Sequence, residues 1–126
     1  MATNLIESKQ APAPIGPYSQ AVMAGNTLYI SGQIALDQAT GQLVQGDIQT
    51  ETHQVMKNLQ FILQEAGMDF SNVVKCSIFV KDLGNFVAIN ETYGGYFTSN
   101  PPARETVEVS RLPKDVQVEI SCIAAK

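Results

Sequence analysis

The segment from Ile48 to Ala66 constrains the fold most strongly, because its apolar residues recur with the spacing of one helix face. These apolar positions are Ile48, Val55, Met56, Leu59, Ile62, Leu63 and Ala66, and their 3-4-7 spacing is typical of an amphipathic helix. Asp47 can cap the start of such a helix, and Gly67 stands where a C-terminal stop belongs. The pattern therefore predicts one long helix whose apolar stripe packs on a second layer.

Strands are predicted on both sides of this helix, because apolar residues there alternate with a period of two. In the run NVVKCSIFVKDL the residues expected on one side of a strand are Val74, Cys76, Ile78 and Val80. Gly25-Asn26 separates two apolar runs and predicts a hairpin. The last two strands are expected in ARETVEVS and VQVEISCIAA, which the segment RLPKD separates.

A second helix is predicted in the run GNFVAINETYGGYF, which places on one helical face Phe86, Ile89, Asn90, Tyr93 and Phe97. Strand, helix and strand in this order predict a crossover between parallel strands. We expect one α+β domain over residues 1–126, with about six strands and two longer helices packed as two layers. Two helices give the second sheet face little cover, so the pattern favours self-association.

Composition argues against several classes of protein. A hydrophobic content of 44% and a charged content of 16% are ordinary for a soluble globular chain. The net charge of −4, the pI of about 4.8 and the scattered Lys and Arg argue against a nucleic-acid partner. The sequence shows no secretory signal and no run approaching the roughly 18 apolar residues of a membrane span. We therefore predict no membrane partner and a cytoplasmic location.

The two cysteines and the one histidine give little indication of a metal or nucleophilic site. Cys76 and Cys122 are isolated in apolar runs, so we expect them to be buried, reduced and structural rather than a disulfide or a zinc site. His53 lies about 120° from the centre of the helix stripe, at roughly 100° per residue, and is expected to be solvated. The sequence shows no metal-ligand cluster, phosphate loop or serine triad.

Three polar residues occupy positions where an apolar residue would cost less. Arg104 follows the stiff pair Pro101-Pro102, Asn90 interrupts the apolar face of the second helix, and Glu119 alternates with apolar residues of the last strand. A structural Arg104–Glu119 salt bridge and a backbone-capping Asn90 are the alternatives. An arginine fork suits a small carboxylate, and a glutamate suits orienting or deprotonating water. Together they suggest water addition to a small carboxylic acid.

Five blocks of the sequence carry a family resemblance: APIGPYSQA, YISGQI, FVKDL, NETY and PARETVEVSRLPKDVQVEI. Together they closely resemble the RidA/YjgF reactive-intermediate deaminase family over residues 8 to 125. The resemblance implies a chorismate-mutase-like, YjgF-type two-layer fold with a mixed six-stranded sheet and two main helices. It also implies a homotrimer with active sites between subunits. In that fold the strands of Arg104 and Glu119 are not neighbours, so RLPKD is not a hairpin turn.

The resemblance further implies hydrolysis of 2-imino acids and their enamines, such as 2-aminoacrylate and 2-iminobutanoate, to 2-oxo acids and ammonia, without a cofactor or metal. Arg104 would clamp the substrate carboxylate, and Glu119 would hold the attacking water with help from the Thr106 main-chain carbonyl. The residues implied to line and position the substrate are Tyr18, Ser31, Gly32 and Asn90.

One position departs from the family pattern. Well-known members have a small residue and then a cysteine after the arginine, whereas this chain has Glu105-Thr106. Glu105 is expected to face away from Arg104, and Thr106 excludes a thiol mechanism. A carboxylate-sensing regulator and a translation inhibitor or ribonuclease of the same fold are the alternative functions. The acidic pI and the remote histidine argue against the ribonuclease.

Overall fold

A computed structural model describes residues 3–126. The strands are β1 (Thr3–Ile6), β2 (Ala21–Ala24), β3 (Thr27–Gln33), β4 (Leu36–Asp37), β5 (Gln42–Leu43), β6 (Val73–Val80), β7 (Ala103–Glu108) and β8 (Val118–Ala125), and the helices are α1 (Ile48–Glu65) and α2 (Phe86–Gly94). No helix in this range is long and apolar enough to cross a membrane.

Six strands form one mixed sheet in the order β1-β2-β3-β8-β6-β7, and β4 and β5 form a separate two-stranded ribbon. β6 and β7 are parallel and are joined through α2, which confirms the predicted crossover. β7 and β8 each pair with β6 and not with each other. The segment RLPKD is therefore no hairpin turn, as the family resemblance implied.

Local signals at the ends of α1 act as the sequence predicts. The Asp47 carboxylate accepts a hydrogen bond from the Thr50 N–H at 2.7 Å, which satisfies one of the free amides of the first turn. Gly67 follows the helix with φ of +72°, a conformation that favours glycine. The helix ends at Glu65, within one residue of the predicted bound.

The core lies between the helices and one face of the sheet. The buried stripe of α1 packs on β3 and β8, where Leu28 and Ile120 are fully buried. The other face of the sheet has no helix over it within residues 3–126, and Leu5 and Tyr29 are 72% and 50% exposed there. The expectation of a thinly covered second face is therefore confirmed.

The prediction that Val74 shares a side of the strand with Cys76 is wrong. Val73 is only 5% exposed and Val74 is 50% exposed, because the pairing of β6 with β8 shifts between Val73 and Lys75. A β-bulge adds one residue on one strand and so reverses the alternation on one side of it. Cys76, Ile78 and Val80 lie on one side, as predicted, and that side is buried.

The two cysteines are buried and free, as expected, but they are closer in space than in sequence. Cys76 of β6 and Cys122 of β8 are direct register partners on the helix-covered face. Phe61 is half-buried at the margin of the core. The proximity of the two cysteines arises from strand pairing that no single segment of the sequence reveals.

Candidate active site

Four of the predicted site residues line one cleft of about 390 Å³: Tyr18, Ser31, Gly32 and Glu119. The cleft lies between the end of β3, the start of β8 and the loop that precedes β2. Its remaining walls are apolar and come from Ile15, Ile34 and Pro113, which the sequence analysis did not single out. A mostly apolar cleft with a few convergent polar groups is typical of a small-molecule site.

Gly32 and Glu119 are in close contact across the two strands. A Cβ atom on residue 32 would collide with the Glu119 carboxylate and would lie 2.8 Å from its Cδ. The pairing of β3 with β8 also shifts between Ile30 and Gln33, so this stretch of β3 carries a bulge. Bulges are common beside active sites because they redirect side chains. Glycine at this position thus gives the Glu119 carboxylate its space.

Burial changes the acidity of Glu119. Its side chain is half-buried in the cleft, and this loss of hydration raises the pKa of Glu119 above its ordinary value of 4.5. No cation of residues 3–126 forms an ion pair with it. A carboxyl group with a raised pKa exchanges protons closer to neutrality than an exposed one does.

Two side chains hold the loop that carries Tyr18. The Ser31 hydroxyl donates to the Ser19 carbonyl at 2.6 Å. The Gln20 side chain is buried; it accepts from the Ser8 N–H at 2.7 Å and donates to the carbonyls of Ser8, Ala11 and Pro12. Ser31 therefore positions the cleft wall as well as lining it, and Gln20 is a supporting residue that the sequence analysis missed.

Arg104 lies apart from this cleft, on β7, and its side chain contacts α2. Its Nη1 donates to the Asn90 Oδ1 at 2.6 Å, and its Cζ lies 5.6 Å from the Phe86 ring centre and 5.3 Å from that of Tyr93. No carboxylate of residues 3–126 forms an ion pair with Arg104. The guanidinium is also exposed. Its positive charge is therefore available to the carboxylate of a ligand.

The structural alternatives for these residues do not hold. Arg104 and Glu119 form no salt bridge, and Asn90 accepts from Arg104 rather than capping a backbone group. Glu105 points to the opposite face, where it contacts the Ser77 hydroxyl and forms an ion pair with Lys75 at 2.9 Å. Those two contacts hold the pKa of Glu105 below its usual range. Glu105 therefore leaves the Arg104 charge free, as expected.

Thr106 is two residues along β7 from Arg104 and faces the same side. Its hydroxyl oxygen is buried and has no hydrogen-bond partner within residues 3–126. The predicted role of its main-chain carbonyl stays a prediction.

Arg104 and Glu119 lie on opposite faces of the sheet. Arg104 shares a face with its register partner Cys76, and Cys76 shares a face with Cys122. Glu119 is three residues from Cys122, and residues an odd number apart along a regular strand face opposite ways. β6 also separates the two strands. One chain therefore places the Glu119 cleft and the Arg104 guanidinium on opposite faces of its sheet, and these two candidate regions are called half-sites below.

Other polar groups lie outside both half-sites. His53 is exposed, and its Nδ1 is 2.9 Å from the Tyr96 hydroxyl. A further cleft of about 350 Å³ at the start of α1 contains Glu51, whose carboxylate accepts from the Gln117 N–H at 2.8 Å. None of the predicted site residues lines that cleft. Among residues 3–126 no group of three potential ligands could hold a metal ion.

These features define a two-layer α+β fold with an unneutralised arginine on one sheet face and a half-buried glutamate in a cleft on the other. A family model described as endoribonuclease L-PSP matches residues 8–126. The chain therefore belongs to this family, which is the RidA/YjgF family that its sequence blocks resemble.

Individual relatives match over almost the whole chain. Protein DfrA of Myxococcus xanthus is 55% identical over 126 residues, which cover 98% of this chain and 96% of that protein. Human 2-iminobutanoate/2-iminopropanoate deaminase is 48% identical over 120 residues, which cover 95% of this chain and 88% of the human protein. The crystal structure of E. coli TdcF with bound serine has a TM-score of 0.94 at 37% identity and covers 98% of both chains.

Proposed function

We propose that the protein hydrolyses short 2-imino acids and their enamine tautomers to 2-oxo acids and ammonia. The observation that most directly supports this function is the pair of half-sites: an arginine without a carboxylate partner, and a glutamate of raised pKa in an apolar cleft. The similarity to the human deaminase, at 48% identity, supports the same substrate class. The serine bound to TdcF supports a ligand that carries a carboxylate.

The two half-sites meet in this proposal through a second copy of the chain. Glu119 and the exposed residues Leu5 and Tyr29 share the sheet face that no helix covers, so a partner subunit on that face can bring its Arg104 to the Glu119 cleft. A homotrimer, with three such junctions, accounts for each half-site being used once per subunit. Sedimentation equilibrium should then give a mass about three times 13.6 kDa.

The proposed chemistry assigns each half-site one task. Arg104 binds the substrate carboxylate through two N–H groups and so fixes C2 of the imine beside Glu119. Glu119 accepts a proton from water as the water oxygen bonds to C2 and the C=N electron pair moves to nitrogen; return of that proton to nitrogen gives the carbinolamine. Glu119 then takes the hydroxyl proton of the carbinolamine and delivers it to nitrogen as the C–N bond breaks. The C2 carbonyl forms and ammonia leaves, so the proposed steps use no cofactor.

A coupled assay tests this function. A pyridoxal-phosphate-dependent dehydratase acting on threonine or serine generates the imine in place, and release of the 2-oxo acid is followed with and without this protein. We expect faster release with the wild type and the uncatalysed rate with Glu119→Gln. Equal rates for wild type, variant and buffer would contradict the enzymatic proposal.

Carboxylate sensing is the second candidate, and the exposed Arg104 charge favours it, because such a clamp binds ligand whether or not turnover follows. Calorimetry with 2-oxobutanoate separates the two functions. Binding that Arg104→Lys abolishes, together with absence of turnover, would favour the sensor. The description of the family model names an endoribonuclease, but the geometry favours that alternative less, because His53 contacts Tyr96 and lies outside both half-sites.

A further inference from the structure

Three side chains of α2 hold the Arg104 side chain. Phe86, Asn90 and Tyr93 recur at i, i+4 and i+7, so they lie on one helix face. Asn90 accepts the Nη1 hydrogen bond at 2.6 Å, and the two aromatic rings approach Cζ to 5.6 and 5.3 Å. Both distances lie within the range of a cation–π contact. Three side chains therefore contact the guanidinium in the absence of a ligand.

The two rings differ in their own support. Tyr93 is buried, and its ring packs on Phe97 at a centroid distance of 4.9 Å. Phe97 packs in turn on Phe70 at 5.5 Å, and Phe70 on Tyr96 at 5.2 Å. These aromatic contacts hold the Tyr93 ring in place. Phe86 is 37% exposed at the start of α2 and belongs to no such cluster.

The exposure of Phe86 argues against a role in core packing alone. An arginine side chain has several rotatable bonds, and a ligand that binds it in two-point geometry must first restrict them. A ring over one guanidinium face limits rotation of that plane, and the Asn90 hydrogen bond fixes one of its edges. The remaining N–H groups are then presented in one orientation.

We propose that Phe86 is a positioning residue which, together with Tyr93 and Asn90, fixes the plane of the Arg104 guanidinium for carboxylate binding. The inference rests on the proposed function for its role in turnover, but the fixed orientation itself is a property of the free protein. It assigns to an exposed aromatic residue a task that neither the sequence blocks nor the cleft geometry indicated.

The chain offers a direct measurement, because Arg104 and Arg111 are its only arginines. Their side-chain Nε–H signals can be resolved by NMR and assigned with Arg104→Lys. We expect the Arg104 Nε order parameter in the free wild type to approach the rigid range, about 0.85, and to fall below about 0.6 in Phe86→Leu. Phe86→Tyr keeps a ring and should restore the wild-type value.

Val87→Ala is the matched control, because Val87 is the next residue of α2, is exposed, and has no contact with the Arg104 guanidinium comparable to that of Phe86. It should leave the Arg104 order parameter unchanged. An order parameter that stays high in Phe86→Leu, or that falls equally in Val87→Ala, would overturn the proposal. The signal of Arg111, which bonds Asp115 at 2.7 Å, serves as an internal reference.

Ligand measurements separate this inference from the proposed function. In Phe86→Leu we expect the Kd for 2-oxobutanoate and the KM for the imine to rise about threefold to tenfold, with kcat nearly unchanged. A wild type that binds 2-oxobutanoate without turnover would sink the deaminase and leave the positioning role intact. Unchanged Kd, KM and order parameter in Phe86→Leu would sink the positioning role and leave the deaminase intact.

Discussion

Gly32 and Glu119 share a space that a single added carbon would fill. The nearest atoms to a Cβ at residue 32 belong to the Glu119 side chain, with Cδ at 2.8 Å and Cγ at 3.0 Å. The β3 backbone at Gly32 therefore limits where the Glu119 carboxylate can lie. This contact gives Gly32 a role beyond lining the cleft.

Gly32→Ala should displace the Glu119 carboxylate and leave the fold intact. The crowded atoms end a flexible side chain, and residue 32 does not have a positive φ, so alanine fits the backbone. We expect imine turnover to fall about tenfold or more, equivalent to about 1.4 kcal/mol, with no loss of thermal stability. Gly94→Ala, where a Cβ meets open space, is the control. Wild-type turnover in Gly32→Ala would show that the carboxylate position does not matter.

Arg104→Lys keeps the positive charge and loses the planar fork. Lysine cannot make the two parallel hydrogen bonds to a carboxylate, and it cannot reproduce the fixed Nη1 contact with Asn90. We expect the kcat/KM for the imine to fall about tenfold to a thousandfold, at about 1.4 kcal/mol per decade. Turnover close to that of the wild type would rule out the clamp.

Glu119→Gln tests the proton transfer and its pH dependence. Burial raises the pKa of Glu119 above 4.5, and the ionised form is the one that accepts a proton from water. Wild-type turnover should therefore rise with pH through this raised pKa, and the amide variant should be slow and lack that limb. Binding of 2-oxobutanoate should be largely preserved. An unchanged pH–rate profile in the variant would reduce Glu119 to a structural residue.

The general architecture could be predicted from the sequence, because helical and strand periodicities are local. Asp47, Gly67 and the alternation of the last strand each act within one element, and the structure confirms them. Val74 was misassigned because a bulge depends on how β6 pairs with β8. A pairing shift of this kind leaves no mark in the strand's own alternation.

The candidate site was only partly accessible for the same reason. The family blocks indicated Tyr18, Ser31, Gly32 and Glu119, and the fold gathers these residues in one cleft. Gln20 was not singled out, and Phe86 was assigned only to a helix face, because their roles depend on contacts with Ser8 and Arg104, which are distant in sequence. The opposite orientation of Arg104 and Glu119 required the strand order, which periodicity alone does not provide.

Thr106→Val and Thr106→Cys test which part of residue 106 matters. If the main-chain carbonyl is used, both variants should remain within a few-fold of wild-type turnover, because valine also suits a strand. The Thr106 hydroxyl is buried without a partner, so valine should also raise the free energy of unfolding, by up to about 1 kcal/mol. A loss of turnover beyond about a hundredfold in Thr106→Val, roughly 2.7 kcal/mol, while Thr106→Ser stays active, would assign the role to the hydroxyl.

The separation of Arg104 and Glu119 on one chain leads to a test of the intersubunit site. Arg104→Lys and Glu119→Gln are each expected to inactivate a homo-oligomer, because every junction then lacks one group. In a mixed oligomer, one junction joins the intact Arg104 of a Glu119→Gln subunit to the intact Glu119 of an Arg104→Lys subunit. Around a closed ring of three subunits, every mixed composition contains one such junction.

Co-expression of the two variants with different affinity tags, followed by tandem purification, isolates the mixed oligomers. We expect them to recover about one third of the wild-type turnover per trimer, whereas each variant purified alone stays near the uncatalysed rate. Subunits that carry both substitutions, co-expressed with wild-type chains, are the control: a trimer with two wild-type chains keeps one intact junction in three and a trimer with one keeps none, so about one sixth of the wild-type turnover is expected. Mixed oligomers of the single variants that stay as inactive as their parents, while that control is active, would show that Arg104 and Glu119 do not act at a shared junction.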